Sequence, residues 1–256
     1  MRERDDDPGR LRAVTFDCWG TLLYERDAAQ VQGLRVEAVA SAARRGGAGL
    51  DADAARAVLD AAWRRHLEAW QAHRQSGSAE MADWVLESLA LEPAARCELA
   101  PGLARGLAEA SLEAGVAALE GSRETLEWLA AAGLRRALVC DTGFTPGRVV
   151  RQLLDRTGLL GLLEVLAFSD EVGVPKPEAR IFEHALGALA TPPAAALHVG
   201  DLRRTDIAGA RRLGMRTVRI RDHFDDPSEH VEADHVADSH AHLRELLAAL
   251  VGRGGS

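Results

Sequence analysis

Four stretches of this chain set a charged or reactive side chain directly after a short apolar run. Asp17 follows Val14-Thr15-Phe16 and leads into Cys18-Trp19-Gly20-Thr21-Leu22. Cys140-Asp141-Thr142-Gly143 follows Ala137-Leu138-Val139. Lys176 lies in Ser169-Asp170-Glu171-Val172-Gly173-Val174-Pro175-Lys176-Pro177, and Asp201 follows Val199-Gly200, with Leu202-Arg203-Arg204-Thr205-Asp206 behind it. Short runs rich in β-formers read as buried strands, and open α/β sheets bind ligands at the carboxyl ends of such strands. An aspartate there is better placed for nucleophilic chemistry than for stabilising a fold. Asp17, Asp201 and Asp206 crowded at one edge would repel one another in a low dielectric. A hard divalent cation resolves that repulsion, and Mg²⁺ prefers a few carboxylates, waters and substrate phosphate. Lys176 adds a compact positive charge for the nucleophile and for phosphoryl oxygens. The backbone amides of residues 18–20 can cradle an anion.

The elements that must position these groups follow from the pattern between them. Residues 12–17 read as a first strand. From about Asp27 to Gly115 only helical periodicity is visible, broken by Gly46-Gly47, Ser76-Gly77-Ser78, Pro93 and Pro101-Gly102 into roughly four helices. After Gly121 helices and strands alternate: helix Glu124–Ala132, strand Arg136–Cys140, helix Pro146–Thr157, strand Val165–Ser169 and helix Glu178–Leu189. Strand Ala196–Gly200, helix Thr205–Leu213, strand Thr217–Ile220, a short strand Asp234–Ala237 and helix His240–Leu250 complete the series. Alternation of this kind predicts an α/β fold, a doubly wound parallel sheet with an inserted all-helical cap domain. The expected organisation is an α/β core domain from 11–24 and 116–251, a helical cap domain over 25–115, and flexible tails at 1–10 and 252–256.

Order and spacing of the four stretches resemble the haloacid dehalogenase (HAD) superfamily of hydrolases, in its helical-cap branch, from about residue 12 to 250. The resemblance implies that Asp17 is the nucleophile and forms an aspartyl-phosphate. It implies Mg²⁺ as cofactor, with Asp17, the Trp19 backbone carbonyl and Asp201 as ligands and Asp206 as a direct or water-mediated one. Gly20 and Thr21 would support the loop. Family members usually carry Ser/Thr and then Asn where Cys140-Asp141 stand, so Cys140 is the positional equivalent and Thr142 an alternative hydroxyl.

One position departs from the family's D-x-D-G-T pattern. Trp19 occupies the place of the second Asp, which in the phosphatases protonates the leaving oxygen and then activates water. An indole N–H only donates and relays no proton. Loss of such acid–base catalysis costs about 10²–10⁴-fold in rate, least for substrates with good leaving groups. Asp141, Asp170, Glu171 or a cap histidine are the candidate replacements. Dehalogenases of the superfamily also lack the second Asp and often carry an aromatic residue there, but they work without metal. Arg35, early in the cap, would suit the carboxylate of a haloacid or be a solvated helix arginine. Three readings therefore stand: a Mg²⁺-dependent phosphatase on a small phosphorylated metabolite, a 2-haloacid dehalogenase-like hydrolase, and a weak or inactive HAD-fold binding protein.

Composition narrows the partners. The chain has 256 residues, 47% hydrophobic, with a net charge of −8, which argues against nucleic acid or an anionic membrane surface. The expected partner is a small anionic substrate, with the protein a monomer or homodimer. Cys18, Cys97 and Cys140 form no disulfide framework, though Cys18 and Cys140 follow strands expected to be neighbours. No apolar run approaches ~18–20 residues and no secretory signal is visible, so a cytoplasmic location is expected. Trp63, His66, Trp70 and His73 fall on one helix face and are either a substrate-facing wall or cap core. Arg203, inside the last motif, is a candidate contact for an anionic substrate, and His198 reads as a buried structural histidine.

Overall fold

The computed structural model describes residues 10–253. Its strands and helices are β1 (Ala13–Phe16), β2 (Leu23–Glu25), α1 (Ala28–Arg45), α2 (Ala52–Gln71), α3 (Ser78–Ser88), α4 (Pro93–Ala114) and β3 (Val116–Ala118). They continue as α5 (Ser122–Ala131), β4 (Arg135–Cys140), α6 (Gly147–Arg156), β5 (Val165–Phe168), α7 (Ser169–Val172), α8 (Ala179–Ala188) and β6 (Ala196–Gly200). A π-helical turn at Arg203–Ile207, α9 (Ala208–Arg212), β7 (Arg216–Ile220), β8 (His235–Ala237) and α10 (His240–Arg253) close the chain. Cα packing divides it into two compact units. Among the described residues, one holds 10–24, Ala118–Asp141 and 154–253; the other holds Glu25–Ala117 with Thr142–Leu153.

The first unit is built on a six-stranded sheet in the order β5-β4-β1-β6-β7-β8, with every pairing parallel. Parallel strands need helical crossovers that cover both faces, which is why β1 and β6 are buried at every residue. From β1 the chain winds outward through β4 and β5, then returns to β6 and winds the other way. The switch point of the sheet therefore lies between β1 and β6, where doubly wound folds leave a crevice. Register sets Thr15 opposite His198 and Phe16 opposite Val199, so Asp17 and Asp201 emerge beside each other.

The second unit is helical. α1 and α2 start where Asp27 and Asp51 accept the amides of Gln30 and Ala54, each at 2.8 Å, satisfying donors that a helix N-terminus leaves open. The core gathers Val39, Leu59, Met81, Leu86, Leu103 and Leu107 from all four helices. Pro101-Gly102, expected to break a helix, lies inside α4; Leu99, Leu103 and Leu107 bury on either side of it and hold the helix through. Thr142–Leu153, expected in the α/β core, groups here because Phe144 stacks on Trp63 at 5.0 Å and joins this core. α10 runs to Arg253, so 252–253 are helical rather than tail, while residues 1–9 and 254–256 lie outside the described residues. Among the described residues no helix is long and apolar enough to cross a membrane.

Candidate active site

Asp17 stands just beyond β1, its amide bonded to the Val199 carbonyl at 2.8 Å, so the β1–β6 ladder fixes its backbone. Asp201 stands just beyond β6. Asp206 is held inward by the π-helical turn, an irregularity frequent at functional sites. Ligand atoms of the three carboxylates lie within 4.8 Å of one another, all buried. Lys176 reaches among them from the loop after α7. Its Nζ donates to Asp17 Oδ1 and, at 2.6 Å, to Asp206 Oδ1. Its own amide donates to Asp141 Oδ1 at 2.7 Å.

Electrostatics here are those of an overfilled anionic pocket. Burial pushes Asp17 up to about 7, with Lys176 pulling back and Asp206 adding repulsion. Burial and the charges of Asp17 and Asp206 push Asp201 up to about 9. Burial works against Asp206 too, but the Lys176 charge and the His198 hydrogen bond outweigh it and bring it down to about 2. Burial also opposes the Lys176 ammonium, yet its acidic neighbours hold it well above the ordinary lysine value. Asp206 spends its oxygens on the protein: Oδ1 accepts from Lys176 and from His198 Nε2 at 3.2 Å, and Oδ2 from the Leu202 amide at 3.0 Å. Asp201 Oδ1 is buried with no hydrogen-bond partner. An orphaned carboxylate oxygen among two more acids is a donor set of the hard, all-oxygen kind that suits Mg²⁺.

The nucleophile loop is braced from several directions. Leu22 and Leu23 amides donate to the Cys18 carbonyl at 2.8 and 2.9 Å, and Gly20 N–H to the Leu23 carbonyl at 2.8 Å. Gly20 has φ +75°, and a Cβ there would lie 2.6 Å from Asp201 Oδ2, so glycine is required twice over. The Thr21 carbonyl accepts from His240 Nε2 at 2.8 Å, while its own hydroxyl is buried without a partner. His240 opens α10, more than two hundred residues downstream, and nothing in its sequence context marks that role.

The structure brings Asp17, Lys176, Asp201 and Asp206 together, with Asp141 behind Lys176 and Gly20 against Asp201. Other expected site residues are engaged elsewhere. Arg203 turns away from an anion-contacting position. Its amide and Nη1 bond Asp226 Oδ2 and O, each at 2.7 Å, Nη1 also meets the Ser228 carbonyl, and Nε and Nη2 reach Glu232 at 3.2 and 2.9 Å. Its guanidinium clasps the 226–232 segment because those acids outbid solvent for it. Cys140, by contrast, stays beside the site: it is a buried thiol donating to the Asp141 carbonyl at 3.3 Å, its pKa pushed well up by the neighbouring Cys18, by burial and by Asp17, with Lys176 opposing. Thr142 belongs to the helical unit, where Gln75 Nε2 bonds its carbonyl at 3.1 Å and its hydroxyl at 3.3 Å. Asp170 and Glu171 are exposed in the first turn of α7, where acids suit the helix dipole.

Two cap expectations also resolve. Arg35 is buried, bonded to Ser111 Oγ at 3.2 Å, Glu25 at 3.5 Å and the Leu107 carbonyl at 3.4 Å, and it lies over the Phe144 ring. Its donors serve the helical unit's own core. Trp63 and His66 stack at 4.8 Å within that core, and His73 falls beyond the end of α2.

Residues 11–214 match the haloacid dehalogenase-like hydrolase family. The chain belongs to that family. It is 32% identical over 137 residues to haloacid dehalogenase-like hydrolase domain-containing protein 3 of Bos taurus, covering 52% of this chain and 53% of that protein. It is 43% identical over 79 residues to glyceraldehyde 3-phosphate phosphatase of Methanopyrus kandleri, covering 30% and 34%. The chain thus spans about half the length, or less, of these curated relatives. Among solved structures, an HAD phosphatase from Thermococcus onnurineus superposes with TM-score 0.62 at 26% identity, over 93% of this chain and 98% of that one. A 2-haloacid dehalogenase from Pseudomonas syringae shares the fold with TM-score 0.69 at 22% identity, over 94% and 99%.

Proposed function

We propose that this HAD hydrolase is a Mg²⁺-dependent phosphatase acting on a small phosphorylated metabolite through an aspartyl-phosphate on Asp17. The observation that carries this reading is the buried Asp201 Oδ1 left without a partner beside Asp17 and Asp206. A carboxylate so placed serves little purpose without a cation. Asp17, Asp201 and the Trp19 carbonyl would hold Mg²⁺, with Asp206 acting through water because most of its lone pairs already face Lys176, His198 and Leu202. Bound there, Mg²⁺ would neutralise the carboxylates and the developing charge on phosphoryl oxygens.

Asp17 attacks phosphorus with a carboxylate oxygen, the ester oxygen leaves with the bonding pair, and water then attacks the phosphorus of the aspartyl-phosphate to free phosphate and Asp17. Lys176 offsets charge on both the nucleophile and the transferring group. Trp19 supplies no proton to the leaving oxygen, so the reading favours leaving groups that depart as stable anions. The Arg35 donors are committed to Glu25, Ser111 and Leu107, which weakens the haloacid alternative. The test is hydrolysis of p-nitrophenyl phosphate with and without Mg²⁺: activity should need the metal and vanish in Asp17→Asn and Asp201→Asn. Halide release from a 2-haloacid in EDTA, with no phosphatase activity, would replace this reading.

A further inference from the structure

His198 is a buried titratable side chain that the reaction above leaves idle. It lies in β6 with 0% exposure, its ring met edge-on by Phe182 at 5.1 Å. A core filler would do as well as leucine or phenylalanine at such a place. The polar contacts of this ring say otherwise. Nε2 is 3.2 Å from Asp206 Oδ1, and Nδ1 is 2.8 Å from Thr15 Oγ1 across the β1–β6 pairing.

We propose that His198 is a positioning residue: as the neutral Nε2–H tautomer, locked by Thr15, it holds Asp206 where Asp206 keeps Lys176 beside Asp17. The proposal rests on the reading of Asp17 as nucleophile. An ionised Asp206 only accepts hydrogen bonds, so the ring nitrogen facing it carries the hydrogen. A neutral ring then presents a lone pair at Nδ1, and the Thr15 hydroxyl points its hydrogen there. Its other acceptor, the Leu197 carbonyl, is farther away at 3.5 Å. Thr15 therefore selects the tautomer, the tautomer fixes one lone pair of Asp206 Oδ1, and Lys176 takes another at 2.6 Å. Without the imidazole, Asp206 can rotate toward Lys176 and draw the ammonium off Asp17. Groups behind a site that orient its ligands in this way typically carry about 10–100-fold in activity or metal affinity.

The test combines NMR with kinetics on the whole chain. In ¹⁵N-histidine-labelled protein at neutral pH, His198 should show a protonated Nε2 and an unprotonated Nδ1. Thr15→Ser should keep that signature and Thr15→Val lose it. With Mg²⁺ and p-nitrophenyl phosphate, His198→Leu should lower kcat by about 10–100-fold with little change in KM. His198→Gln, which keeps an N–H near the Nε2 position, should recover much of the loss. Calorimetric titration with Mg²⁺ alone should show weaker binding to His198→Leu than to the parent. An imidazolium or Nδ1–H tautomer overturns the proposal, as does a folded His198→Leu with parental kcat and Mg²⁺ affinity. If His198→Leu does not fold, Thr15→Val decides by the same readouts. A parent inactive on every phosphate ester would sink the Asp17 reading, and the tautomer and Mg²⁺ titrations would still judge His198.

Discussion

On the proposed phosphatase reading, Trp19 is the side chain on which rate depends. Beside Asp17, Lys176 and Asp201 it occupies, on the proposed reading, the place from which an acid would protonate the leaving oxygen. Trp19→Asp should accelerate hydrolysis of an alkyl phosphate by about 10²–10⁴-fold, and that of p-nitrophenyl phosphate by less, because nitrophenolate leaves unprotonated. A comparison of the two substrates in parent and variant measures this. A variant no faster on the alkyl ester would mean that another group already supplies the proton. Asp17 and Asp201 were legible in the sequence because each follows an apolar run that reads as a strand, and strand ends converge; Lys176 was legible as part of the stretch that leaves the strand ending at Phe168. Arg203 was misread, because the direction of a guanidinium is decided by Asp226, Ser228 and Glu232, which no local pattern links to it. His240 was invisible for the same reason: its partner, the Thr21 carbonyl, is distant in sequence.

At the scale of elements, two loops meet with no room between them. Gly20 sits in a left-handed turn directly against Asp201. Gly20→Ala should therefore cost about 1–3 kcal/mol of stability from the strained backbone alone. It should also weaken Mg²⁺ binding, since the added methyl must displace Asp201. Titration calorimetry alongside urea unfolding separates the two, and a variant with lowered stability but parental Mg²⁺ affinity would show that Asp201 yields without harm. The six strands of the sheet follow from alternation of apolar runs with helices, and their bounds match that expectation within a residue or two; their order is seen only in the fold. The last crossover was harder. Thr205–Leu213 reads as one helix, but the chain makes a π-helical turn before α9 to carry Asp206 inward. An insertion of that kind is set by the hydrogen bonds of one carboxylate, not by periodicity.

For the molecule as a whole, buried histidines are one of the groups that couple stability to pH. Burial lowers the pKa of His66 and of His240 below the ordinary 6.5, with Glu80 and the Thr21 carbonyl respectively pulling back. Between those depressed values and 6.5 each of these two side chains binds more protons unfolded than folded, so its own contribution to stability falls as pH drops through 6.5, while the raised Asp17 and Asp201 act in the opposite sense. In thermal unfolding from pH 7.5 to 5.5 the Tm of the parent should fall more, or rise less, than that of His240→Asn; identical pH slopes in the two would remove His240 from the balance. The assignment of Thr142–Leu153 to the helical unit has a bearing on how such proteins can be rebuilt. The ring of Phe144 is a foundation stone of a domain encoded mostly by another stretch of the chain. A graft of the helical unit taken as the single segment 25–117 would leave Trp63 and Arg35 facing a stranger's residue, and would leave Phe144 behind without its neighbours. Recombination between relatives therefore has to cut this gene in four places, not two, if the new helical unit is to keep its own core.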